Sequence, residues 1–375
     1  MLSFDVFESR AKSEISEFSS LPYAKAIPKY GAVLALLLLA VLAFYIRYST
    51  GAAFNFFEFD PIFYDHISEM LATQGSVPFH SFEVYWPIGR DLHMYPLVHY
   101  VTVGWVHAVN ALGGLAITKE LVVAMSQLYP PLVAVFMVFL AYLLFKELFG
   151  ELTGLFAAAV FALMPQLVKK LAAGVSEMQP FGIFAAIFVF AAYALYLQHR
   201  DRRFAVLTGF AAALSVLSSA QAIWPLLLLG VSGGLIALLE FRNRELDSDG
   251  VINEGIILAF AAVAVLLLNS YQGSLTYIPS YLLVMAASFA SFAVLWLYQQ
   301  YVLSRVGVVE EKQRVWVPLA FVVLAFLVIL FVPFLNQRIL GNFVDATSFA
   351  VAKGALTRTV AEENATSPDM FPSIF

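Results

Sequence analysis

Apolar residues occupy this chain in blocks of helical rather than strand length, separated by short polar punctuation. The first block, 30–48, follows an amphipathic tail of mixed charge at 1–29 that ends in Lys25 and Lys29. Later blocks fall at 120–145, 152–167, 180–198, 204–220, 222–240, 255–271, 277–303 and 315–334. Segments of this length satisfy their backbone polar groups inside a bilayer only as helices. The pattern therefore predicts an all-α, polytopic transmembrane bundle of about nine spans, with a long connection at 49–118 after the first.

One stretch decides the topology. Residues 95–112 are apolar enough to count as a span but carry His99 and His107, and counting them would reverse every later loop. If they lie flat in the outer interface instead, one side of the membrane receives Lys146, the run His199 to Arg203, Arg242 with Arg244, and Arg305 with Lys312 and Arg314. That clustering follows the positive-inside rule. The N-terminus is then cytoplasmic, and 49–118, 168–180 and 336–375 are exterior. Arg47 is expected to snorkel from the far end of the first span. Three regions result: a cytoplasmic tail at 1–29, a transmembrane domain at 30–334 with its first loop carrying interfacial helices, and an exterior segment at 335–375.

Composition narrows the chemistry. Charged residues make up 13% and hydrophobic ones 61%, against about 25% charged in soluble domains. The absence of cysteine removes disulfides and thiolate chemistry, leaving oxygen or imidazole ligands for any metal. A formal net charge of -5 gives no general affinity for nucleic acid. The tail ahead of the first block is longer than a usual signal peptide, so that block is read as a retained span.

The exterior segments each carry carboxylates. The first contains Glu58-Phe59-Asp60-Pro61, the second Lys169-Lys170 followed by Glu177-Met178-Gln179, the third Thr359-Val360-Ala361-Glu362. Taken singly, the second would serve as a charged interfacial cap and the third as a solvated loop. Together on one face, Asp60, Glu177 and Glu362 could gather oxygen ligands around a hard cation such as Mg²⁺ or Mn²⁺. Arg90, His93, Lys169 and Lys170 are placed by charge and position to grip a phosphate, or to cap the interface. His66, His80, His93, His99 and His107 lack the paired spacing of a zinc helix and read as interfacial or packing residues. Asn364-Ala365-Thr366 is itself an N-glycosylation acceptor sequence, a match expected by chance.

The first loop resembles that of oligosaccharyltransferase catalytic subunits, the AglB-like archaeal enzymes in particular. The residues that carry the resemblance are Glu58-Phe59-Asp60-Pro61, Tyr85-Trp86-Pro87-Ile88-Gly89-Arg90-Asp91 and Tyr95-Pro96-Leu97. Ala173-Gly174-Val175-Ser176-Glu177-Met178-Gln179 stands where the family has an Asp-x-Asp motif, and Thr359-Val360-Ala361-Glu362 is similar to its late Thr-Ile-x-Glu motif. The resemblance implies a GT-C-type bundle that transfers an oligosaccharide from a polyprenyl (dolichyl) phosphate carrier to Asn of Asn-x-Ser/Thr. It implies Mn²⁺ or Mg²⁺ held by Asp60, Glu177, Gln179 and Glu362, with Thr359 near the substrate, in the cytoplasmic membrane with the site facing outward. Partners would be the lipid-linked oligosaccharide, an acceptor polypeptide and membrane lipid. Two departures stand out. Gln179 replaces a carboxylate of the second motif, and no Trp-Trp-Asp-Tyr-Gly segment occurs. The resemblance covers nearly all of this chain but only the first part of a family member, so a separate C-terminal sequon-binding subunit or a fragment is expected. Other readings stay open: a different polyprenyl-phosphate-sugar glycosyltransferase, an inactive paralogue or scaffold, and a transporter. A transporter should place ionisable groups inside its spans, which hold almost none here.

Overall fold

The computed structural model of the chain describes residues 29–51, 59–83, 88–243, 246–273 and 279–303. The described residues are mostly helical, with one short β-hairpin of two-residue strands and irregular connections between the helices. The chain divides into two compact units: residues up to His199 with 217–221, and residues 200–216 with those from Ala222 onward. Among the described residues six helices are long and apolar enough to cross a bilayer, so this is a multi-pass membrane protein.

In the first unit, α1 (Lys29–Gly51) is the first span, and α2 (Phe59–Gln74) opens the connection that follows. Asp60 in its first turn complements the positive end of the helix, and Pro61 costs no hydrogen bond so early. A hairpin, β1 (His80–Ser81) with β2 (Arg90–Asp91), leads to α3 (Leu97–Gly113), which ends on Gly114 in the left-handed conformation. At 17 residues, α3 is not among the span-length helices. It turns Val98, His99, Thr102 and Val106 inward and leaves Tyr100, Trp105 and Leu112 exposed.

Next comes α4 (Lys119–Phe149), capped by Thr118, whose side chain accepts from the Leu121 amide at 3.4 Å. Its 31 residues span about 46 Å at 1.5 Å per residue, well beyond the roughly 30 Å hydrocarbon core. Leu36 and Ala43 of α1 pack with Val138 and Tyr142 of α4 and with Ala158 and Ala162 of α5 (Glu151–Leu163). α7 (Met178–His199) closes the unit against α4 through Tyr129, Phe181 and Phe184.

The block at 152–167 is not one span. α5 has 13 residues and stops at Met164, whose ψ of 118° is imposed by the following proline; α6 (Pro165–Lys170) then starts afresh. Hydropathy could not register that break, because Met164 and Pro165 lie inside an apolar run. Arg47 also departs from its expected role. It does not snorkel but is fully buried, donating to the carbonyls of Phe161 (3.1 Å), Ala162 (2.8 Å) and Ala43 (3.0 Å). The last carbonyls of α5 have no helical partner of their own, and the guanidinium supplies one.

The second unit comprises α8 (Arg202–Ser218) up to Val216, α9 (Ile223–Asn243), α10 (Ser248–Tyr271) and α11 (Ser280–Tyr298). Expected as a span at 204–220, α8 has 17 residues and is not among the span-length helices. At Gly230 the backbone of α11 comes close enough that a β-carbon would press on Met285. Ala237, Phe241, Phe292 and Leu295 form the core there. α10 starts earlier than the apolar run suggested, so Glu254 lies within the helix, buried, in a unit where Arg200 pairs with Glu240. The block at 315–334 lies outside the described residues.

Candidate active site

The segment from Leu171 to Glu177, expected as part of a charged interfacial cap, is instead enclosed. Leu171 is 0% exposed, Ser176 1% and Glu177 5%. Lys169 and Lys170 sit ahead of it on α6, not in the loop. Three contacts hold the segment. The Ala173 amide donates to the Arg47 carbonyl (3.0 Å), the Ser176 hydroxyl donates to the Ser126 carbonyl (2.5 Å), and the Tyr129 hydroxyl donates to the Glu177 carbonyl. Glycine is required where α1 meets it: a β-carbon at Gly51 would collide with the Ala173 carbonyl, backbone against backbone. Gly51→Ala is expected to destabilise the protein by about 1–3 kcal/mol, read as a lower thermal midpoint in detergent.

The charges of Asp60, exposed at the start of α2, and of Glu177, buried just before α7, both act on one phenol. Tyr64, one turn after Asp60 and 5% exposed, is held protonated well above the usual tyrosine range. Burial is the main cause; the charges of Asp60 and Glu177 add to it, and Arg90 opposes them. The hairpin brings Arg90 there. Its guanidinium lies 4.5 Å from the Phe63 ring of α2, while Asp91 on the same strand bonds His80 at 2.7 Å. Gly89, at φ 81°, takes the left-handed turn that this requires. Asp60, Tyr64, Arg90 and Glu177 thus form one charged neighbourhood.

The other candidate residues are placed as follows. Gln179 lies half-buried in the first turn of α7. His93 braces the hairpin, its Nε2 3.0 Å from the Val77 carbonyl and its ring edge-on to Phe79. Lys169 lines a cavity of about 590 Å³ with Thr50, Leu163, Val168, Ala172 and Val175, an apolar hollow with one ammonium at its wall. Lys170 is half-buried beside it in sequence. Thr359 and Glu362 lie outside the described residues. The histidines are dispersed: His66 is 3.9 Å from Glu83, His80 pairs with Asp91, and His99 bonds Ser68 at 3.1 Å. Among the described residues no three His, Asp or Glu side chains gather as a metal set. The two carboxylates that act on Tyr64 are hard oxygen donors, suited to Mg²⁺ or Mn²⁺ and short of a third ligand.

Sequence reasoning missed the groups that build this site: Tyr64, Asp65, Ser126, Tyr129 and Ser176. Polar residues at the end of an apolar block were the available signal for Ser126 and Tyr129. His99, stacked on Tyr64 at 5.6 Å, adds a pH dependence. Burial lowers its imidazole from 6.5 to about 4. A depressed value contributes stability that is complete above about pH 6.5 and is withdrawn as the pH falls toward about 4, up to about 3 kcal/mol. Asp65 acts in the opposite sense. Burial raises its carboxyl, partly offset by the Ser126 hydrogen bond, so its contribution is lost as pH rises. His99→Leu is expected to flatten the fall of the unfolding midpoint between about pH 7 and pH 5; an unchanged slope would contradict the assignment.

With this geometry in hand, comparison with known proteins is specific. The profile of the family described as "Oligosaccharyl transferase STT3, N-terminal" matches residues 32–358. The chain belongs to this oligosaccharyl transferase family. The rice (Oryza sativa subsp. japonica) dolichyl-diphosphooligosaccharide–protein glycosyltransferase subunit STT3A is 30% identical over 183 residues, covering 46% of this chain and 22% of the rice protein. Among solved structures, the oligosaccharyltransferase AglB of Archaeoglobus fulgidus, in complex with an inhibitory peptide and a dolichol-phosphate, shares the fold. Its TM-score is 0.65 at 19% identity, over 89% of this chain and 40% of AglB. A second structure of the Archaeoglobus enzyme, in complex with Zn and sulfate, gives 0.60 at 19% identity over 79% of this chain and 39% of that one. The chain therefore spans from about a fifth to two fifths of the length of these relatives, and the STT3 match places α1, α2 and the Glu177 segment within the family's N-terminal part.

Proposed function

We propose that this chain forms the membrane part of an oligosaccharyltransferase, transferring an oligosaccharide from a polyprenyl phosphate carrier to Asn of Asn-x-Ser/Thr. The observation that carries the reading is that Asp60 and Glu177, both inside the STT3 match, act with their charges on the same buried Tyr64. The Archaeoglobus complexes with dolichol-phosphate and a peptide, and with Zn and sulfate, support the substrate classes and a divalent cation.

In this reading Asp60 and Glu177 hold Mn²⁺ or Mg²⁺, with Gln179 as a neutral oxygen donor and Glu362 contributed from the later segment. When bound, the cation supplies positive charge to the departing phosphate. An amide nitrogen is a poor nucleophile, and carboxylates that accept its N–H bonds favour its twisted, reactive form. Arg90 balances charge beside Tyr64. Lys169, on the wall of the apolar cavity, suits a lipid chain that ends in phosphate, and Lys170 and Thr359 stand as further substrate contacts. His93 supports the hairpin that presents Arg90. The positive clusters along the sequence support a site on the exterior face of the cytoplasmic membrane, and in this reading the sequon-binding part is supplied by further polypeptide.

The test is glycosylation of an Asn-x-Thr peptide by membranes holding lipid-linked oligosaccharide and Mn²⁺, with this chain alone and with the protein segment encoded downstream. Transfer to that peptide and not to its Gln-x-Thr counterpart is expected in at least one preparation. No transfer by folded protein in either would favour an inactive paralogue.

A further inference from the structure

We propose that Asp65 is a positioning residue that, through Ser126 and Ser176, locks the helix carrying Asp60 to the segment carrying Glu177. The inference rests on the reading of Asp60 and Glu177 as one site. Asp65 lies five residues after Asp60 on α2 and is 5% exposed, although a solvated carboxylate is the usual fate of such a residue. Its Oδ1 accepts from the Ser126 hydroxyl of α4 at 2.7 Å.

The second half of the link follows from a proline. In a regular helix the Ser126 carbonyl would accept from the amide of residue 130, but that residue is Pro130 and has no N–H to give. The carbonyl is thereby released, and the Ser176 hydroxyl donates to it at 2.5 Å. One residue of α4 thus binds α2 with its side chain and the Glu177 segment with its backbone. Tyr129, the residue before the proline, donates to the Glu177 carbonyl and repeats the attachment one residue further along. Neither Asp65 nor Pro130 is placed to touch substrate; both act through the spacing of Asp60 and Glu177.

The chain has no cysteine, so spin labels placed at Ile62→Cys and Gln179→Cys report the α2-to-α7 distance without further engineering. The unsubstituted background is expected to give one narrow distance distribution. Asp65→Ala and Ser126→Ala should broaden it, whereas Asp65→Asn, which keeps an acceptor for the Ser126 hydroxyl, should not. Pro130→Ala separates positioning from stability. A restored amide competes with Ser176 for the carbonyl, so the distribution should broaden while the thermal midpoint holds or rises. In unlabelled protein, Asp65→Ala should raise the Mn²⁺ concentration for half-maximal transfer about 10-fold, with rescue by Asp65→Asn. Unchanged distributions in folded Asp65→Ala and Ser126→Ala would overturn the proposal. Broadened distributions in a protein that transfers nothing would support the link while removing the transferase reading beneath it.

Discussion

Replacing Glu177 by glutamine is expected to cut sequon glycosylation about 10²–10³-fold, the usual cost of removing one preorganised charged partner from a reacting centre. The folded yield should not change. Tyr129 is bonded to the Glu177 backbone carbonyl and Ser176 to the Ser126 carbonyl, so neither anchor of the segment uses the side chain that is altered. Glutamine matches the shape of glutamate, removing the charge and turning one acceptor oxygen into an NH2 donor. Asp60→Asn should give a loss of the same order, because the Asp60 side chain is exposed and its charge acts on the same phenol. The double variant should be little worse than either single one, as expected of groups that act as a unit. Parallel assays of transfer rate and thermal midpoint check this. A midpoint that falls with the activity would place Glu177 in the scaffold instead.

Arg47→Leu carries the largest expected stability effect. The guanidinium is fully enclosed and serves three carbonyls, two of them at the end of α5. A leucine of similar bulk leaves the Phe161 and Ala162 carbonyls without partners in a region that offers little water. Each such bond to a charged donor contributes about 1.5–3 kcal/mol, so a loss of about 3–5 kcal/mol is expected. Arg47→Lys should recover only part of it, since one ammonium cannot reproduce the planar fork. The damage should also reach the site, because the Arg47 carbonyl receives the Ala173 amide, three residues after α6 ends at Lys170. Unfolding in detergent measures the first effect. A wild-type midpoint for Arg47→Leu would show that the carbonyls find other partners at no cost.

Much of the scaffold was legible because membrane helices are written in a simple code. Among the described residues six of the apolar blocks became span-length helices, while 152–167 broke and 204–220 gave a 17-residue helix outside that set. Asp60-Pro61 and Thr118 stand at helix starts, where local physics favours them. The failures share a cause. Arg47 and the 171–177 segment were judged by residue type, as a snorkelling cation and part of a charged interfacial cap, whereas their burial depends on what packs over them. The Met164-Pro165 break was written in the chain but invisible to a hydropathy count. At the proposed site, Asp60 and Glu177 were suggested by residue chemistry and family resemblance. Their supports were not, because Asp65, Ser126 and Ser176 become partners only when three elements far apart in sequence meet. The Ser126–Pro130 relation is a partial exception. A proline four residues after a serine in a helix announces a released carbonyl, although nothing local names its new donor.

Binding of Mn²⁺ to the purified protein, followed by the loss of its free-ion paramagnetic resonance signal, tests the central claim most directly. If Asp60 and Glu177 are two halves of one divalent-cation transferase site, the wild-type chain immobilises Mn²⁺, and Asp60→Ala and Glu177→Ala each abolish it, while Lys169→Ala does not. Equal Mn²⁺ binding by all four proteins, or none by well-folded wild type, would contradict the account.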